Sequence, residues 1–393
     1  MSGAACVVFD QTLCDYKFSE DHPLNPIRVD LTMRLAQELG ITGTGAMPVV
    51  PAPMASDELV ATVHHSDFIE SVRATSGNPL RYDVLRGLGT DDNPTFAGMH
   101  EASAHVVGAS VEAARRVWEG EVLHAANING GLHHAMPDRA SGFCIYNDVA
   151  VAIRWLLDHG ARKVAYVDVD VHHGDGTQAV FWDDPRVLTI SLHETGQMLF
   201  PGTGFASEIG GPGAEGTSVN VALPPGTADA GWLRAFHAVV PPLVRAFGPD
   251  ILVTQHGCDS HTEDPLAHLN LTVDGQRASY EALHALAHEV CDGKWLATGG
   301  GGYALVDVVP RSWSHLLGIV AGAPVDPASA VPEAWRSHVG SRLRAVAPLR
   351  MTDGRDAAYR DWTSGFDPDT WLDRSILSTR EAVFPLNGLD YLP

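Results

Sequence analysis

Five short apolar runs, each closed by a polar or glycine-rich ending, constrain this chain more than any other feature. The runs are EVLHAANI (121–128), KVAYVDVDV (163–171), RVLTISL (186–192), DILVTQHG (250–257) and KWLATGGGG (294–302). They are rich in Val, Ile and Leu, which suits strands buried on both faces of a parallel sheet. Amphipathic stretches separate them. Residues 26–39 read as a helix: Asn25 caps it, Pro26 takes the first position and Gly40 ends it, with Ile27, Leu31, Leu35 and Leu39 on one face. Residues 98–118 read as another, with Met99, Ala102, Val106, Ala109, Ala113 and Val117 in register. This β-α-β-α order predicts an α/β fold, an open, doubly wound parallel sheet with helices on both faces. The endings NGGLHHA, DVDVHHGDG, SLHETG, QHGCDS and GGGGYA then fall at the carboxyl ends of strands, where such sheets bind ligands. One shared site accounts for five such endings better than five unrelated loops do.

Composition narrows the function classes. Of 393 residues, 45% are hydrophobic and 19% charged, which excludes disordered, collagenous and coiled-coil chains. Lys and Arg number 26 against 48 Asp and Glu, a net charge of −22. Such a surface repels phosphate backbones, so nucleic acid is not an expected partner. It attracts cationic partners, such as the basic flanks of a lysine-containing substrate; solubility is the plainer use of the same charge. The five cysteines are odd in number, widely spaced and without a CxxC pair, against a disulfide framework or a cysteine-rich zinc site. The start, MSGAACVVFDQTLCDY, lacks a basic segment before its apolar stretch and makes a poor signal peptide. No apolar run is long enough to span a membrane. A reduced cytoplasmic protein is the expectation, with oligomeric state open. From about residue 325 the periodicity weakens and Trp335, Arg336, Arg342, Trp362, Trp371 and scattered prolines appear. Residues 1–320 therefore read as the main domain and 321–393 as a C-terminal extension packed on it.

The densest chemistry lies in VAYVDVDVHHGDG (164–176). In a strand, Asp168, Asp170 and His172 point to one face and Val167, Val169 and Val171 to the other. Neighbouring buried carboxylates need a cation or strong donors, and carboxylates with an imidazole suit zinc, iron or manganese. Asp259, in TQHGCDSHTEDPL (254–266), is the best third ligand, with His256 and His261 as rivals on the same loop. Asp259 alone could equally cap a helix, and His256 could be a core histidine. Asp170, His172 and Asp259 leave positions open for water and substrate, as a hydrolytic metal requires. The tandem His133-His134 suits proton transfer near neutral pH, with Asp168 and Asp175 available to orient the rings. A competing reading makes these histidines ligands themselves. In ATGGGGYA (297–304), four glycines allow close backbone approach. They read as a mobile arm carrying Tyr303, whose hydroxyl suits a developing oxyanion; packing is the alternative role.

GLHHAMPDRASGFCIYND (131–148), DVDVHHGDGTQAVFWDDPRVLTISLH (168–193), FPGTG (200–204), GCDSHTEDPL (257–266) and GGGGY (299–303) together resemble the zinc-dependent histone deacetylase superfamily over roughly residues 5 to 320. VFPLNGL (383–389) and DPLAHL (264–269) further resemble its bacterial acetoin-utilisation branch. The resemblance implies an arginase-like α/β fold with about eight parallel strands, and hydrolysis of acetyl-lysine amides. It implies Asp170, His172 and Asp259 as zinc ligands, with ferrous iron also possible. His133 with Asp168, and His134 with Asp175, match the catalytic pairs, and Tyr303 the catalytic tyrosine. Phe143 and Phe200, with Gly142, Leu266 and Gly301, match the lining of the acetyl-lysine tunnel. Asp92, in DDNP (91–94), matches a rim aspartate that grips the substrate backbone. A structural potassium is implied at Asp168, Asp170, His172, Ser191 and Leu192. A second potassium site matches only in part, at Phe181, Asp184 and Val187.

The sequence thus reads as a metal-dependent amidohydrolase that deacetylates lysine side chains, on a metabolic protein rather than a histone. A deacetylase of small acetylated amines such as acetylpolyamines is the alternative enzyme. A non-catalytic binding protein would have no use for the whole set of histidines, ligands and Tyr303. An arginase-like ureohydrolase would need a second metal with more aspartates.

Overall fold

In the computed structural model, which describes residues 3–43 and 46–393, eight strands form one sheet in the order β2-β1-β3-β8-β7-β4-β5-β6. They are β1 (Gly3–Val8), β2 (Val49–Val50), β3 (Val122–Asn127), β4 (Val164–Asp168), β5 (Val187–Glu194), β6 (Ser218–Leu223), β7 (Ile251–Gln255) and β8 (Trp295–Thr298). Every neighbouring pair is parallel. The helices are α1 (Ile27–Glu38), α2 (Asp57–Val60), α3 (Ser66–Gly77), α4 (Met99–Trp118), α5 (Asp148–Asp158), α6 (Asp175–Val180), α7 (Asp229–Phe247), α8 (Val273–Val290), α9 (Val309–Val320), α10 (Glu333–Leu343) and α11 (Trp371–Val383).

Alternation along each strand feeds two cores. Ala165 and Val167 of β4 join a cluster with α7, α8 and α9, while Val164 and Tyr166 join another with α4 and α5. Burial on both faces explains why these strands read as continuous apolar runs. The five expected runs are β3, β8, β7, β4 and β5, adjacent in the middle of the sheet. The three remaining strands lie outside them. β6 is SVNVAL, whose short polar–apolar alternation is weaker than a solid apolar run. β1 uses the apolar stretch considered above as a targeting segment.

Helix α1 is one residue shorter at each end than the expected 26–39. Helix α1 starts at Ile27, with Pro26 as its cap residue and the Asn25 side chain accepting from the Ile27 amide at 3.0 Å. Part of the expected apolar face of α1 packs against the C-terminal segment. Leu31 and Leu35 pack with Trp335 and Val339 of α10, while Val29, Met33 and Ala36 face the main core. Residues beyond 320 are thus tied to the body in several places. The Trp335 indole donates to the Leu31 carbonyl at 2.8 Å. Arg234 of α7 forms a buried pair with Asp373 of α11 at 2.7 and 2.8 Å.

His256, just past β7, sits against Tyr280 and Trp295 with its Nε2 2.7 Å from Thr254 Oγ1. Burial pushes its pKa down to about 3. The unfolded chain takes up that proton near pH 6.5, so between those values the unfolded state binds more protons. Stability is therefore complete above pH 6.5 and falls as pH drops. Between pH 7 and 5 this one residue should account for about 2 kcal/mol of lost stability. Urea unfolding of His256→Gln is expected to show a smaller loss by that amount; equal losses in both proteins would refute the assignment.

Candidate active site

β4 stops at Asp168, one residue into the DVDVH run, so Asp170 and His172 lie in the following loop and not on a strand as expected. The ladder loosens because the chain must turn into α6. It stays attached at single points: the Val169 amide donates to the Gln255 carbonyl at 3.0 Å, and the Glu194 amide to the Val171 carbonyl at 2.9 Å. Val169 and Val171 remain in the core. The acidic and imidazole side chains therefore still gather on one side.

The loop after β3 brings His133 and His134 to this point. His133 Nδ1 is 2.7 Å from Asp168 Oδ2, and His134 Nδ1 is 2.7 Å from Asp175 Oδ1 at the start of α6. The two Nε2 atoms face each other at 3.1 Å. Carboxylates accept only, so each Nδ1 carries the hydrogen, and the facing Nε2 atoms share any extra proton. Burial would depress His133, but Asp168 and Asp170 outweigh it and raise it to about 9. Burial and the adjacent His133 charge lower His134 to about 4, against the pull of Asp175. The pair thus holds one charged ring and one neutral ring at neutral pH.

Asp170, His172 and Asp259 are all buried, and one ligand atom from each lies within 4.8 Å of the others. His172 Nδ1 is 3.0 Å from Asp259 Oδ2 and 3.2 Å from Asp170 Oδ1. Burial and the Asp170 charge push Asp259 up to about 6. Burial opposes a charge on His172, yet the two carboxylates carry it up to about 10. Two carboxylates in one dry site demand a cation, and this donor set suits zinc or ferrous iron. Gly257 and Gly301 keep the cradle open: a Cβ on either would run into Asp170 or Asp259. The rivals are turned elsewhere. His256 is in the core, and His261 Nε2 is 2.9 Å from Asp353 of the C-terminal segment.

The glycine run after β8 is closely packed rather than a loose arm. A Cβ at Gly299 would strike the Ile128 backbone, and one at Gly300 the Gln255 amide. The Gly301 amide donates to Asp170 Oδ2 at 2.8 Å, and the Tyr303 amide to Asp264 Oδ2 at 2.7 Å. Close contact on every side selects glycine here, and it fixes Tyr303. Above the cluster opens a pocket of about 210 Å³. Its lining includes Asp92, Gly142, Phe143, Phe200, Leu266 and Tyr303, with His134 and His172 at the bottom. Phe143 stands edge-on to Tyr303, with centroids 5.8 Å apart, and Phe200 edge-on to His134 at 5.0 Å. Phe143 adopts φ +68°, a left-handed value rare for a bulky residue. Gly142 before it has no room for a side chain between His134 and Phe200. Asp92 is exposed at the mouth, where its carbonyl lies 3.2 Å from His22 Nε2. Ser191 of β5 pairs in register with Asp168.

Residues 22–320 match the family described as the histone deacetylase domain. This chain belongs to the histone deacetylase family. The acetoin utilization protein AcuC of Bacillus subtilis (strain 168) is 42% identical over 351 residues, 89% of this chain and 90% of that protein. AcuC of Staphylococcus xylosus is 36% identical over 352 residues, with 89% and 90% covered. These relatives place the chain on the AcuC branch of the superfamily. A crystal structure of a histone deacetylase homologue complexed with SAHA superposes with a TM-score of 0.81 at 25% identity, covering 96% of this chain and 100% of that one.

Several residues of this deacetylase-family site were not singled out from the sequence. The Tyr166 hydroxyl donates to Asp168 Oδ2 at 2.6 Å, and Gln255 Nε2 to Asp170 Oδ2 at 2.7 Å. Tyr166 is two residues before Asp168 on the same strand face, which period-two alternation could have revealed. Arg28 donates to the Gly302 carbonyl at 3.0 Å from 274 positions away. Asp264, raised to about 7 by burial and by Asp259, anchors Tyr303. Apart from Tyr166, only the fold brings these together.

Proposed function

We propose that this chain hydrolyses the acetyl amide of acetyl-lysine side chains, with a divalent metal held by Asp170, His172 and Asp259. One observation carries the reading: a three-donor cluster suited to a metal lies beside two His–Asp pairs and a tyrosine, under a narrow, aromatic-lined pocket. A pocket of about 210 Å³ is small for a drug-sized ligand and suits a single extended aliphatic chain. Zinc, or ferrous iron in its place, would supply Lewis-acid polarisation of the acetyl carbonyl and of the attacking water.

The protein's own groups do the rest. Phe143 and Phe200 hold the lysine stem, and Asp92 takes up polar backbone at the mouth, with Leu266 and Gly301 completing the walls. His134, neutral and oriented by Asp175, accepts the proton of the water that attacks the acetyl carbon. His133, charged and paired with Asp168, stabilises negative charge as it builds. The Tyr303 hydroxyl donates to the carbonyl oxygen as it gains charge. Burial, with Asp259 and Asp170 nearby, holds that hydroxyl protonated. The C–N bond then breaks, the amine leaves with a proton from the histidine pair, and acetate remains. Potassium at Asp168, Asp170, His172, Ser191 and Leu192 would steady the loop after β4; Phe181, Asp184 and Val187 would serve a second ion through main-chain carbonyls.

The acidic surface favours lysines in basic surroundings, and all five cysteines are free, as a reducing cytoplasm would keep them. We take a metabolic protein as the source of the acetyl-lysine. The test compares kcat/KM on an acetyl-lysine peptide and on an acetylated polyamine, with zinc present. The peptide should be preferred; turnover of the polyamine alone would overturn the assignment.

Tyr303→Phe keeps the ring and removes the hydroxyl. Loss of an oxyanion donor costs on the order of 10²–10³ in kcat, with KM little changed because the ground-state carbonyl gains less from the bond. Steady-state kinetics check this. A kcat within about twofold of the parent protein would assign Tyr303 to packing alone.

A further inference from the structure

At the amino ends of the strands, opposite the active site, three imidazoles converge. His124 stands near the amino end of β3, in register with Trp295, the first residue of β8. His284 and His288 lie four apart on α8, so they share one face in its last turns. His124 Nε2 is 3.1 Å from His288 Nε2, which is 3.2 Å from His284 Nε2. One ligand atom from each of the three lies within 4.8 Å of the others.

The hydrogen bonding of this cluster does not close by itself. His124 Nδ1 is 2.9 Å from the Val320 carbonyl. A carbonyl only accepts, so Nδ1 carries the hydrogen and Nε2 of the neutral ring presents its lone pair inward. His288 Nε2 lies between two other nitrogens and has at most one hydrogen to give. At least one of the contacts is therefore left without a full hydrogen bond.

We propose that His124, His284 and His288 bind a second divalent metal ion, of the nitrogen-preferring class represented by Zn²⁺. Tetrahedral zinc with bonds of about 2.0–2.1 Å separates its nitrogens by about 3.3–3.4 Å, close to the two spacings present here. The Val320 carbonyl fixes the His124 ring and its tautomer, the usual outer partner of a metal-bound histidine. The Trp295 ring covers the inner side, with centroids 5.8 Å from His124 and 5.5 Å from His284. His288 is exposed, so the fourth position is open to water. An ion there would tie α8 to β3 and, through Val320, to the end of α9. It serves as a structural clamp independent of the active-site metal.

The test uses the full-length, untagged protein equilibrated with Zn²⁺ alone at micromolar free ion. Bound zinc is measured by mass spectrometry of the metal. His284→Ala/His288→Ala is expected to hold one zinc equivalent less than the parent protein, with deacetylation of an acetyl-lysine peptide unchanged. His288→Ala alters only an exposed side chain on a helix, so it guards against misfolding; its zinc-dependent rise in Tm should be smaller than that of the parent, with only the active-site share remaining. Equal zinc content in the parent and the double variant would overturn the proposal. So would an unchanged zinc-dependent Tm in His288→Ala. Because the readout is a difference in bound metal, it stands apart from the substrate assignment.

Discussion

Asp170→Ala is expected to leave the active-site cluster without its metal and to reduce deacetylation to background. Asp170 is more than one donor among three. It accepts from Gln255 Nε2 at 2.7 Å, from the Gly301 amide at 2.8 Å and from the His172 amide at 3.0 Å. Its removal leaves those buried donors unpaired and takes away the negative charge that steadies His172 and His133. The loss should exceed the roughly 10²–10⁴ that a single proton-transfer group supplies. Asp170→Asn keeps the shape and removes the charge, so it separates electrostatics from packing: it should also lose metal while unfolding near the Tm of the metal-free parent. Metal analysis and a peptide assay read both variants. Stoichiometric active-site metal in Asp170→Ala would show that the ligand set is misassigned.

His134→Ala should lower kcat by about 10²–10⁴ with the metal retained, and His133→Ala should lower it no further. The two histidines are held in different protonation states. His134 lies near 4 through burial and the neighbouring charge, so its lone pair is free at neutral pH, whereas His133 lies near 9 and is already charged. A base must be unprotonated to work. The rate should therefore be flat around neutrality and fall on the acid side as His134 takes up its proton. A His134→Ala protein of near-normal kcat would contradict this division of roles.

Much of this site could be read from the chain because its chemistry is local. Asp168, Asp170, His172 and Asp175 lie within eight positions, and His133-His134 is a tandem at a strand end. The five central strands were legible for the same reason: burial on both faces leaves solid apolar runs. β6 and the two-residue β2 at the sheet edges lack that pattern. The strand expected to run through His172 ends earlier because α6 must begin at Asp175, and the turn breaks the ladder while the cores still hold Val169 and Val171. What stayed hidden depends on long-range closure. Arg28 behind Gly302, Gln255 on Asp170 and Asp353 on His261 join residues that no spacing relates. The His124–His284–His288 cluster is half visible, as an i, i+4 pair on α8, and needs β3 to complete it.

The most direct test of the account is an acetyl-lysine peptide assay on protein stripped of metal by a chelator, with Zn²⁺ and Fe²⁺ then restored separately. The stripped protein should be inactive, and one of the two ions should restore acetate release to the level of the untreated protein. Acetate release that persists in metal-free protein, or that neither ion restores to a chain still folded, would contradict a metal-dependent deacetylase.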